Sequence, residues 1–83
     1  MDADDDILNL RAKADELKLE ANTEFGAKNI RRAIDLYGDS LRYFPIAAVY
    51  SNRAFCHLKL ESWGCAIADA TEAIKLDSSF AKA

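Results

Sequence analysis

The feature that most constrains this 83-residue chain is an internal repeat. Shifting the sequence by 33 positions lays Ala33-Ile34-Asp35-Leu36-Tyr37 over Ala66-Ile67-Ala68-Asp69-Ala70. The same shift carries Leu17 to Tyr50, Ala21 to Ala54 and Ser40 to Ala73. Small side chains recur where two helices of a hairpin would touch, and large ones fill the space beside them. Each period therefore reads as one helix–turn–helix unit. Such a unit cannot bury its apolar face alone, so neighbours must stack.

Residue choice supports helices throughout. Pro45 is the only proline, Gly26, Gly38 and Gly64 are the only glycines, and Ala, Leu, Lys and Glu abound. The first helix is expected to start near Asp6, with Ile7, Leu10, Ala14, Leu17, Ala21 and Phe25 at steps of three and four. Asp2, Asp4, Asp5 and Asp6 read as a solvated tail ending in a cap, their charge favouring the helix N-terminus. Gly26 offers a stop and Ala27-Lys28-Asn29 a short loop. A second helix from about Ile30 carries Ile30, Ala33, Ile34, Tyr37, Leu41 and Phe44 on one face, and Pro45 closes it. A third, from Ile46 or Ala47 to Leu60, buries Val49, Tyr50, Ala54, Phe55 and Leu58. Ser62 is a candidate cap for a fourth, which carries Trp63, Ala66, Ile67, Ala70, Ala73 and Ile74 and ends near Leu76. Helices joined by short loops pack as antiparallel neighbours, in a bundle or a solenoid, and the repetition favours the solenoid.

Composition removes several function classes. Charged residues at 30% and hydrophobic ones at 51% are globular values. The net charge of -3, with aromatics not interleaved with a basic patch, argues against nucleic acid as a partner. Two cysteines do not make a disulfide framework, so Cys56 and Cys65 read as buried small apolar residues in a reducing compartment. No run is long enough for a membrane span and no signal peptide is evident, so the expected location is the cytoplasm, with the nucleus also open to it. His57, the only histidine, falls at a packing position and has no companions at metal-ligand spacing. His57 with Cys56 or Cys65 has no group to orient the base and no oxyanion hole, and there is no glycine-rich phosphate loop. No catalytic residue, metal or cofactor is expected; Trp63 and the other aromatics, Phe25, Tyr37, Tyr43, Phe44, Tyr50, Phe55 and Phe80, are expected mostly in the core.

Over residues 14–83 the chain resembles the tetratricopeptide-repeat (TPR) family. Ala21 and Ala54 stand at its small position in the first helix of a repeat, Ala33 and Ala66 at the alanine of the second, and Pro45 at the repeat-ending proline. Ser78 replaces the second such proline, and the first linker is one residue short of the common period. The resemblance implies an all-α fold: TPR helix-turn-helix repeats stacked as a short right-handed solenoid, two repeats plus the start of a third. It implies one domain over residues 1–83, with repeat one at about 14–46, repeat two at about 47–80, and 1–13 as an acidic extension of the first helix.

Three segments narrow the resemblance. Leu17-Lys18-Leu19-Glu20-Ala21-Asn22 looks like the family's LKxxGN, Tyr50-Ser51-Asn52-Arg53-Ala54 like its YSNRA, and Phe80-Ala81-Lys82-Ala83 like the start of a third repeat. Together they resemble the carboxylate-clamp branch, which holds the C-terminal Glu-Glu-Val-Asp tail of the ninety- and seventy-kilodalton heat-shock chaperones. That implies peptide binding by Lys18, Asn22, Asn52 and Lys82. Lys59 either joins them or is an ordinary exposed helix lysine, and Arg53 is expected to tie helices together. Trp63-Gly64-Cys65-Ala66-Ile67 and Asp69-Ala70-Thr71-Glu72-Ala73-Ile74 look most like the TPR segment of a serine/threonine phosphatase branch. The clamp's arginine, four residues after its final lysine, would fall past Ala83, so the segment is expected to come from a longer protein.

The chemistry suits the assignment. Lys18 and Asn22, four apart, share a helix face distinct from the Leu17, Ala21 and Phe25 stripe. Stacking would bring Asn52, and one helix later Lys82, to the same concave surface. Ammonium and amide donors, with no acid required beside them, suit a peptide ending in carboxylates. Ordering an extended tail costs entropy, so moderate affinity is expected. The alternative is a self-associating scaffold: the helix over residues 63–76 lacks a complete successor to cover it, and a second copy could do so.

Overall fold

A computed structural model of the chain describes residues 3–77, with side chains from residue 6 onward. Four helices follow in order: α1 (Ala3–Gly26), α2 (Ile30–Tyr43), α3 (Ala47–Lys59) and α4 (Trp63–Leu76). There is no strand among the described residues. α1 packs on α2, α3 on α4, and α2 on α3, so two helix-turn-helix units lie side by side. The expected contribution of residues 78–83 to a third repeat, Lys82 included, lies outside the described residues.

The repeat extends to the backbone of the turns. Lys28 and Glu61, 33 positions apart, both adopt left-handed φ, at 68° and 59°. Lys28 N–H donates to Phe25 O and Asn29 N–H to Glu24 O; Glu61 N–H donates to Leu58 O and Ser62 N–H to His57 O, the same pattern shifted by 33. Each pair satisfies carbonyls that a helix C-terminus would leave unpaired. The expected stop at Gly26 is therefore displaced, since Gly26 is the last helical residue and Lys28 makes the turn. Ser62 stands at the α4 N-cap as expected but forms no side-chain cap bond; its N–H instead donates to His57 O in the turn.

Small residues set the seams. Ala21 and Ala33 are fully buried in the first unit, and Ala54 and Ala66 are buried at the equivalent positions of the second. Ala14 is also buried, and the Ser40 hydroxyl donates to its carbonyl oxygen at 2.7 Å. Leu36, Tyr37, Val49 and Cys56 fill the core between the units, flanked by Leu17, Phe25, Ile30, Ile34, Leu41 and Ile46.

Several sequence expectations change. α1 begins at Ala3 rather than near Asp6, so Asp4, Asp5 and Asp6 belong to the helix instead of a tail before it, where their charge favours the N-terminal end. The first turns of α1 run past the end of α2, which leaves Ile7 and Leu10 exposed; the apolar stripe is covered only from Ala14 on. Cys56 is buried, but Cys65 on the outer side of α4 is exposed. Phe55, Leu58, Trp63, Ile67 and Ile74 are exposed as well, because no described helix packs outside the second unit.

Candidate peptide-binding groove

Helical spacing carries α1 past α3 along one side of the molecule. There a groove of about 300 Å³ is lined by Asn22 and Phe25 from α1, Tyr37 from α2, and Asn52 and Phe55 from α3. The three-residue steps Asn22–Phe25 and Asn52–Phe55 each put an amide and a ring on one helix face. The two amides meet: Asn52 Nδ2 lies 3.4 Å from Asn22 Oδ1. The Tyr37 hydroxyl, reaching from the core, donates to the same oxygen. Burial pushes the Tyr37 phenol above its ordinary range, Cys56 adds to the rise, and the Asn52 amide works against it.

Two predicted site residues, Asn22 and Asn52, are thus brought together. Lys18 stands one turn before Asn22 on α1, half-buried and outside the groove lining, with Nζ 3.9 Å from Asp15 Oδ1. An acid therefore does stand beside the expected donors, on the helix face that carries Lys18. Lys59 is exposed at the last turn of α3, also outside the lining. Lys82 lies outside the described residues.

Arg53, beside Asn52, turns away from the groove. Its Nε and Nη2 donate to the two oxygens of Asp69, both at 2.8 Å, and its guanidinium stacks 5.7 Å from the Tyr50 ring. It also abuts α2: a Cβ added at Gly38 would sit 3.5 Å from Nη1. The Asp69 hydrogen bonds raise the Arg53 pKa and burial opposes them. This is the expected inter-helix tie. His57 is largely buried, with Nε2 3.5 Å from Asp69 Oδ2. Among the described residues no group of three or more His, Cys, Asp or Glu side chains is arranged to hold a metal ion.

Tyr37, Phe25 and Phe55, which the apolar pattern places in the core, also line the groove. A signal was available for Phe55, three residues after Asn52 on the same face. For Tyr37 it was a hydroxyl on an otherwise apolar stripe, since a buried phenol needs a partner.

Between α3 and α4, Ala54, Leu58, Trp63, Ala66, Ile67 and Ala70 line a shallow apolar depression of about 250 Å³. Trp63 is 56% exposed and Ile67 68%. No described helix is long and apolar enough to cross a membrane.

No protein-family model matches the chain. Curated proteins do. The chain is 41% identical over 71 residues to serine/threonine-protein phosphatase 5 of Homo sapiens, an alignment covering 84% of this chain and 14% of that protein. It is 34% identical over 77 residues to small glutamine-rich tetratricopeptide repeat-containing protein 2 of Saccharomyces cerevisiae, covering 92% and 22%. It is 44% identical over 66 residues to mitochondrial import receptor subunit TOM34 of Rattus norvegicus, covering 78% and 21%. The chain thus spans less than a quarter of the length of each of these relatives. With two stacked helix-turn-helix units, alanines at both seams and these relatives, the chain belongs to the tetratricopeptide-repeat family, and phosphatase 5 is among the members it most resembles.

Proposed function

We propose that this segment is a non-catalytic docking module that binds the acidic C-terminal tail of heat-shock chaperones in the α1–α3 groove. The observation that carries the reading is the meeting of Asn22 and Asn52, amides from two different units, at a groove flanked by Phe25 and Phe55. Amide hydrogens would donate to the terminal carboxylates, and the two rings would cover the apolar side chain between them. Lys18, one turn from Asn22, would add positive charge within reach of an extended tail, once drawn from Asp15. Lys82 would supply a second ammonium, and Lys59 at most a distant one. A partner of this kind belongs to the cytoplasm or nucleus.

The test is a titration with a peptide ending in Glu-Glu-Val-Asp, with its C-terminally amidated twin as control. Binding should require the free carboxylate and weaken with salt. Lys18→Ala should reduce it. Equal binding of the amidated peptide would remove the clamp from the account.

A second reading rests on the apolar depression at Trp63 and Ile67. Exposed apolar area of that kind marks a contact surface, and self-association through it would make the segment a scaffold. Sedimentation would show a concentration-dependent dimer that Ile67→Glu abolishes; a compact monomer at high concentration counts against it.

A further inference from the structure

We infer that Tyr37 is a positioning residue for the groove: its hydroxyl holds the Asn22 amide with the oxygen inward and the Nδ2 hydrogens turned to the ligand. The inference rests on the carboxylate-binding reading above and names the residue that presets its donors. The Tyr37 side chain is 2% exposed and anchored on α2, so its hydroxyl is a fixed point. A phenol has one proton to give, and here it goes to Asn22 Oδ1. Asn52 Nδ2 approaches the same oxygen. Flipping the Asn22 amide alone would set its NH₂ against the Asn52 NH₂ and take away the acceptor of the Tyr37 proton, leaving the phenol oxygen only to accept. Two contacts therefore select one flip, and that flip leaves both Asn22 Nδ2 hydrogens to give.

The consequence is selectivity by sign. A carboxylate accepts only, so it meets donors; an amidated end carries hydrogens of its own and meets the same donors poorly. Without the hydroxyl the amide is free to turn its oxygen outward, toward the charge it is meant to bind.

Tyr37→Phe keeps the ring and removes the hydroxyl. Two readouts are taken: side-chain amide resonances of the free protein, and affinity for the Glu-Glu-Val-Asp peptide in wild-type and Asn22→Ala backgrounds. The Asn22 and Asn52 side-chain resonances should shift in Tyr37→Phe, while those of Asn29, whose amide donates to Glu24 at 2.7 Å, should stay. Affinity should fall about fivefold, the worth of a typical hydrogen bond. That loss should vanish in the Asn22→Ala background, where no amide remains to be positioned. Unmoved Asn22 resonances, or an equal loss with and without Asn22, would overturn the inference. If the wild-type chain ignores the peptide, the carboxylate reading fails, and the resonances still decide whether Tyr37 holds the amide.

Discussion

Removing the Asp69 carboxylate should destabilise the chain more than removing any exposed acid. The Asp69 side chain is 7% exposed and receives two 2.8 Å bonds from Arg53, whose own side chain is 25% exposed. Asp69→Ala leaves that guanidinium partly buried and unpaired, with His57 also deprived of its neighbour. Breaking one side of a buried pair costs about 3–5 kcal/mol. Arg53 can regain some water through its exposed edge, so we expect about 2–3 kcal/mol. For a chain of this size that is a fall of about 10–20 °C in Tm, read by circular dichroism. Asp39→Ala is the contrast. Asp39 meets Arg42 at 3.6 Å on the surface, both partners at least half exposed, and its loss should cost less than about 0.5 kcal/mol. Arg53→Met with Asp69→Leu should recover most of the Asp69→Ala loss, because the penalty lies in the stranded charge rather than in missing attraction. Asp69→Ala within about 0.5 kcal/mol of wild type would refute this reasoning, as would a double variant no better than the single one.

The turns and the titrating core give further tests. Lys28→Gly and Glu61→Gly should each raise stability by about 1 kcal/mol in urea unfolding, since glycine adopts their left-handed φ without a Cβ penalty. A loss at either position would count against the turn geometry. Stability should also fall as the pH rises past about 9. Burial pushes the Cys56 thiol above its ordinary 9.0, with Asp69 adding to the rise, and burial likewise pushes Tyr37 above 10.0. The unfolded chain therefore releases these protons first, so stability is full below those values and declines above them. Cys56→Ala, compared with its own stability at neutral pH, should flatten the early part of the decline; an unchanged slope would argue against a buried thiol.

Much of the fold was legible because the repeat carries both packing and turn chemistry. The alanines at 21, 33, 54 and 66 announce the seams, and all four are buried. Helix ends from Ile30 onward fall within a residue or two of their sequence signals, since Pro45 and the apolar periods leave little freedom. The start of α1 was harder, because acidic residues are as compatible with a tail as with a first helical turn. The turn at Lys28 is hidden for a different reason: its left-handed backbone goes with bonds from Lys28 N–H to Phe25 O and from Asn29 N–H to Glu24 O that residue type does not reveal. Exposure of Phe55, Trp63 and Cys65 depends on what covers the second unit, which periodicity cannot report. In the groove, Asn22 and Asn52 were found through family motifs, whereas Tyr37 joins Asn22 across 15 positions, beyond any local pattern.

The most direct test of the account is to follow side-chain signals of the chain while the free-acid Glu-Glu-Val-Asp peptide is added. The account predicts that the Asn22 and Asn52 amides and the Phe25 and Phe55 rings shift together, saturating with one affinity, while the Trp63 indole stays still. Movement of the Trp63 indole with silent Asn22 and Asn52 amides would contradict it and move the working surface to the depression between α3 and α4.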